Sequence, residues 1–106
     1  MPAILLITYA HEADPDEWAA GYTAERALPF LDVPGLTWKI WLDDASRKRS
    51  GAVFLFEDRA AAEAYLATPR GSRQKNNPDL KDLRVEVFDI REAMTKITRG
   101  PIGPAS

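Results

Sequence analysis

Two stretches of this chain are apolar at consecutive positions: Ile4-Leu5-Leu6-Ile7 and Ala52-Val53-Phe54-Leu55-Phe56. Both contain β-branched or aromatic residues and are short, which reads as strand. A strand with one wet face alternates apolar and polar side chains, because successive side chains point to opposite faces. Runs without alternation need cover on both faces. In a chain of 106 residues, a layer of helices covers one face of a sheet and little is left for the other. The pattern therefore calls for a second sheet from a partner copy. A monomer would leave an apolar face prone to aggregation.

The remaining elements follow from local signals. Ala3 to Ala10 is the first strand. Asp14-Pro15-Asp16-Glu17 reads as a helix start: Asp14 caps, Pro15 suits the first helical position, and Glu17 stands three residues after the cap. Trp18, Ala19 and Tyr22 would share one face of that helix. Pro29 ends or kinks it before the turn at Val33-Pro34-Gly35. Strands are expected over 36–42 and 51–57, around a charged hairpin loop over 43–50. Asp58 caps a second, alanine-rich helix over 59–68, stopped by Pro69-Arg70-Gly71. After a polar, irregular stretch over 72–82 with room for one helical turn come a fourth strand over 84–90 and a short helix over 92–98. This β-α-β-β-α-β order predicts an α+β, ferredoxin-like fold, one antiparallel sheet with both helices on one face. One domain over residues 1–99 and a C-terminal tail over 100–106 are expected.

Composition narrows the function. The net charge of −2 offers no general attraction to nucleic acid or anionic lipid. The basic triplet Arg47-Lys48-Arg49 sits in a hairpin beside Asp43 and Asp44, as a solvated tip would. With no cysteine, disulfides and thiolate metal sites are ruled out. The start of the chain lacks a signal-peptide pattern, and no run approaches the length of a membrane helix. A cytoplasmic protein is expected, with no membrane or nucleic-acid partner.

One segment is more specific. Pro34-Gly35-Leu36-Thr37-Trp38-Lys39-Ile40-Trp41 resembles the PGxxWKxW signature of the YdhR-type monooxygenases. Gly51 to Asp58 is similar to that family's third strand and helix cap. Ala64-Tyr65-Leu66 and Val87-Phe88-Asp89-Ile90 are similar to its second helix and last strand. The resemblance runs from about Val33 to Ile97, and the first helix and the stretch 71–78 depart from it. It implies a dimeric α+β barrel, in agreement with the partner sheet inferred above. Some members of that superfamily oxidise phenolic or quinol-type compounds with dioxygen and no metal, haem or flavin. The resemblance thus implies a cofactor-independent monooxygenase acting on a small aromatic compound as a homodimer. The alternative is a non-catalytic protein of the same fold that binds a small hydrophobic ligand.

Candidate site residues come from strand periodicity. Trp38 and Trp41 point to opposite faces, so one meets the helices and any pocket while the other meets the partner sheet or an edge. Phe54 and Phe56 share a face and could form an aromatic wall for a planar ligand. Tyr65 on the second helix could bring a hydroxyl to the same place. Each of these aromatics could equally be plain core. Tyr9 and His11 end the first strand on one face and are the catalytic candidates. His11, the sole histidine, could take a phenol proton, or could simply be a solvated strand end. No second histidine supports a metal or haem role.

Overall fold

A computed structural model of the chain describes residues 1–102; residues 103–106, within the expected tail, lie outside the described residues. Four strands, β1 (Ala3–Ala10), β2 (Leu36–Asp44), β3 (Arg49–Phe56) and β4 (Lys81–Asp89), form one sheet in the order β2-β3-β1-β4. Every neighbouring pair is antiparallel. The helices are α1 (Pro15–Ala19), α2 (Ala24–Ala27), α3 (Arg59–Leu66) and α4 (Glu92–Ile97). The arrangement is the ferredoxin-like α+β fold.

Register sets the two faces. Leu5 lies opposite both Phe54 and Val87, and Ile7 opposite both Ala52 and Val85. These residues, with Ala3, Tyr9 and Phe56, make the inner face, and Ala62 and Tyr65 of α3 pack onto it. The start of α3 is held by Asp58, whose carboxylate accepts from the Ala61 amide at 2.8 Å. Its end is tied by Thr68, whose hydroxyl donates to the Tyr65 carbonyl and accepts from the Gly71 amide. Gly71 is required there: a Cβ would stand 1.9 Å from the Tyr65 carbonyl oxygen. The chain can therefore turn sharply back under the helix.

The outer face carries Ile4, Leu6, Leu42 and Val53, all half-buried, with Ile40 50% and Phe88 49% exposed. Trp38 lies on this face, in register with Leu55, and its indole donates to the Pro101 carbonyl at 2.8 Å. Among the described residues, the segment after α4 covers the Trp38 corner, and Ile40 and Phe88 stay exposed.

The expected first helix is corrected. It is two short helices, and Gly21 lies in the break between them. Thr23 caps the second by accepting from the Arg26 amide. A strong cap and a nearby glycine outweigh a face of three residues, because a short helix has little cooperativity to lose. Trp18 and Tyr22 still meet, indole to hydroxyl at 3.0 Å. Pro29 sits in a 3-10 turn, Leu28–Asp32, that follows α2 directly, so the α-helix ends just before it as expected. The hairpin is tighter than the expected loop, with Lys48 left-handed at φ 51°. The fourth strand starts earlier, at Lys81.

Candidate functional site

The period of two along β2 puts Lys39 and Trp41 on the inner face, in register with Phe54 and Ala52. The 3-10 turn before β2 lays Phe30 over them, and α3 supplies Tyr65. Together with Ile7 and Tyr9 they enclose a cavity of about 240 Å³. One part of its wall is aromatic. Phe30 meets Trp41 edge-on at 5.5 Å, and Tyr65 lies 5.3 Å from Phe54. Arg26 of α2 and Arg70, Arg73 and Gln74 of the segment after α3 close it, with Glu25 as a lining carboxylate. The return at Gly71 brings that last group into place.

Lys39 is the unusual member. Its amine stands 3.4 Å from the centre of the Phe30 ring, 3.5 Å from that of Trp41 and 4.8 Å from that of Phe54. Burial, followed by the charges of Arg26, Arg70 and Arg73, lowers its pKa from 10.5 to about 7. The ring faces, which favour the ammonium form, oppose that shift. An amine poised near neutrality inside an aromatic cavity can both accept and return a proton. Burial raises the Tyr9 and Tyr65 hydroxyls above their ordinary range, so both stay protonated and able to donate.

Of the residues expected at a site, the structure brings Tyr9, Trp41, Phe54 and Tyr65 to this cavity. It places three elsewhere. Trp38 is on the outer face, bonded to Pro101. Phe56 is on the inner face but wholly buried, stacked on Phe54 and tilted against Tyr65, and does not line the cavity. His11 is neither in the cavity nor solvated. Its ring stacks on Trp18 at 3.7 Å and 8°, and its buried Nδ1 has no hydrogen-bond partner. Desolvation, the main cause, lowers its pKa, with Asp43 opposing and Lys48 adding to the shift. Strand periodicity gave His11 the right face; α1 then covered the strand end.

Phe30, Lys39, Arg26, Arg70 and Arg73 are the residues that sequence reasoning missed. Lys39 had a usable signal, since it shares a face with Trp41 two positions on. The arginines had none: Arg26 lies on a short helix and Arg70 and Arg73 on irregular chain, and packing alone brings them together. Among the described residues, no three His, Asp or Glu side chains converge as a metal site requires, and no helix is long and apolar enough to cross a membrane.

A model of the family described as "Putative mono-oxygenase ydhR" matches residues 4–101. No curated protein matches the chain. Several solved structures share its fold. SnoaB from Streptomyces nogalater, a cofactor-independent oxygenase, is 17% identical over 85% of this chain and 93% of its own, with a TM-score of 0.63. MhuD from Mycobacterium tuberculosis, a heme-degrader with two hemes in its active site, is 17% identical over 84% and 95%, at 0.61. A dimeric ferredoxin-like protein of unknown function from Jannaschia is 20% identical over 85% and 100%, at 0.55. At these identities the likeness establishes the fold alone.

Proposed function

The chain belongs to the ydhR mono-oxygenase family, and on that premise we propose that it oxidises a small phenol- or quinol-type aromatic with dioxygen, without metal, haem or flavin, as a cytoplasmic homodimer. The observation that carries the reading is the Lys39 amine set between the Phe30 and Trp41 rings in a cavity of substrate size.

In this reading the substrate ring lies in the cavity beside Lys39, against the aromatic side chains that line it. Neutral Lys39 takes the phenol proton, leaving a phenolate paired with its ammonium. The phenolate passes one electron to dioxygen, and the radical pair combines to form a carbon–oxygen bond para to the phenolate oxygen. The O–O bond then breaks. One oxygen stays as a quinone carbonyl, and the other leaves as hydroxide with that carbon's hydrogen. The hydroxide regains the proton from Lys39 and departs as water. A phenol with a hydrogen at the para carbon plus dioxygen thus gives quinone plus water, whereas a para-quinol would give quinone plus hydrogen peroxide. The Tyr9 and Tyr65 hydroxyls stand ready to donate to the developing oxyanions, where preorganised donors contribute most.

Exposed Ile40 and Phe88 on the outer face support the homodimer, as does the dimeric ferredoxin-like neighbour. A haem-type ligand, as in MhuD, fits poorly: a cavity of about 240 Å³ is far smaller than a tetrapyrrole, and the sole histidine lies outside it. Oxygen-electrode assays with naphthols, anthrones and quinols, with product identification, test the reading. One dioxygen consumed per quinone formed is expected. Tight binding with no oxygen uptake across the panel would replace it with the non-catalytic binding protein.

A further inference from the structure

Three guanidinium groups from two separate parts of the chain, Arg26 of α2 and Arg70 and Arg73 after α3, line one cavity beside Lys39. None of the ion pairs among the described residues includes them. Among the described residues Glu25 is the one carboxylate on the cavity wall, and the Trp41 and Phe30 rings lie 6.0 and 5.3 Å from Arg26 and Arg70. The chain as a whole is acidic, at −2, so this local excess is not a reflection of bulk composition. Converging like charges is unfavourable, and a bound anion would relieve the repulsion.

We infer that the substrate is an aromatic hydroxy acid whose carboxylate docks on Arg26, Arg70 and Arg73 while its ring lies in the cavity against the aromatic side chains that line it. The inference rests on the cavity being the substrate site. Guanidinium forks match the planar geometry of a carboxylate better than an ammonium does. Arg26 and Arg73 are exposed and Arg70 is half-buried, so the acid end would lie where the cavity meets solvent and the ring would lie deeper. The volume, about 240 Å³, is just below the usual range for ligand pockets and limits the molecule to about one or two rings. A docked carboxylate would also offset the arginine charges felt by Lys39 and make its amine a better proton acceptor.

Calorimetric titration of the whole protein with 1-hydroxy-2-naphthoate and with 1-naphthol tests this, with oxygen uptake followed on the same samples. The hydroxynaphthoate should bind about tenfold or more tightly than the naphthol, the scale of a charge-assisted contact. That preference should shrink as salt is raised. Arg70→Gln with Arg73→Gln should abolish most of it, and Arg70→Lys with Arg73→Lys should restore part. Equal binding of the two compounds, or a preference unaffected by salt and by both substitutions, would overturn the inference. If the double variant does not fold, the salt titration of the unaltered protein decides. Arginine-dependent acid binding without oxygen uptake would uphold the inference and sink the oxygenase reading. Oxidation of naphthols with no preference for the acid would do the reverse.

Discussion

The Lys39 amine and the Trp41 ring lie 3.5 Å apart on one strand, two positions along the same face. That spacing places a basic group over an aromatic wall with no help from loops. It also ties the proton chemistry of the site to the stability of the fold.

Lys39 has a folded pKa of about 7 against an ordinary 10.5. Between those values the unfolded chain holds a proton that the folded chain lacks, so this group makes stability rise with pH across that window. Below pH 7 its cost is present in full. Lys39→Met should therefore stabilise the protein at pH 6.5, by about 1–2 kcal/mol, a figure reduced from the full shift because solvent reaches part of the side chain. The gain should vanish near pH 10.5. Chemical denaturation at several pH values reads it directly. Oxygen uptake should fall by at least about 100-fold, and the limb of the rate profile near pH 7 should disappear.

Phe56 and Trp41 separate core from wall. Phe56→Ala should cost about 3–5 kcal/mol, the penalty of a fully packed phenylalanine, and leave affinity for 1-naphthol almost unchanged. Trp41→Ala, at a half-buried position on the cavity, should cost less stability and weaken that affinity clearly. Urea unfolding paired with titration distinguishes them. A reversed pattern would move the cavity wall to Phe56.

His11 stacks on Trp18 and stays neutral below its ordinary pKa of 6.5. As pH falls below 6.5 the unfolded chain takes up a proton first, so stability drops on the acid side. His11→Phe keeps a ring on Trp18 and should flatten that part of the profile. Thermal unfolding at pH 5 and pH 7 measures it. Oxygen uptake at pH 7 should be nearly unchanged, since His11 does not border the cavity.

Light scattering at micromolar concentration should give about twice the chain mass of 11.8 kDa. Ile40→Lys or Phe88→Lys puts a charge on the open outer face and should shift the protein toward monomer. Trp38→Phe removes the hydrogen bond to Pro101 and should cost about 1 kcal/mol of stability, with no effect on ligand affinity. A stable monomer across that concentration range would refute the paired-sheet reading.

What was legible in the chain is what short-range physics writes there. Asp14 and Asp58 announced their helices because a cap needs only its own next three residues. The opposite faces of Trp38 and Trp41, and the shared face of Phe54 and Phe56, followed from the period of a strand. The two-faced apolar runs Ile4 to Ile7 and Ala52 to Phe56 foretold a sheet open on one side within a single chain.

Periodicity names a face but not the depth beneath it. Phe54 and Phe56 were equivalent in sequence, yet one borders a cavity and the other is sealed by its neighbours. Tyr9 and His11 were likewise paired, yet Tyr9 borders the cavity while His11 is stacked under Trp18 of α1. Lys39 read as part of a motif, and its proton affinity was set only when Phe30, Arg26, Arg70 and Arg73 packed around it from other segments of the chain. The chain by itself determined its strands, their faces and its helix caps, because those depend on neighbours a few residues away. Tertiary structure alone decided which side chains form the site and what charge Lys39 carries, because desolvation and Coulomb interactions depend on distance in space, not on separation along the chain.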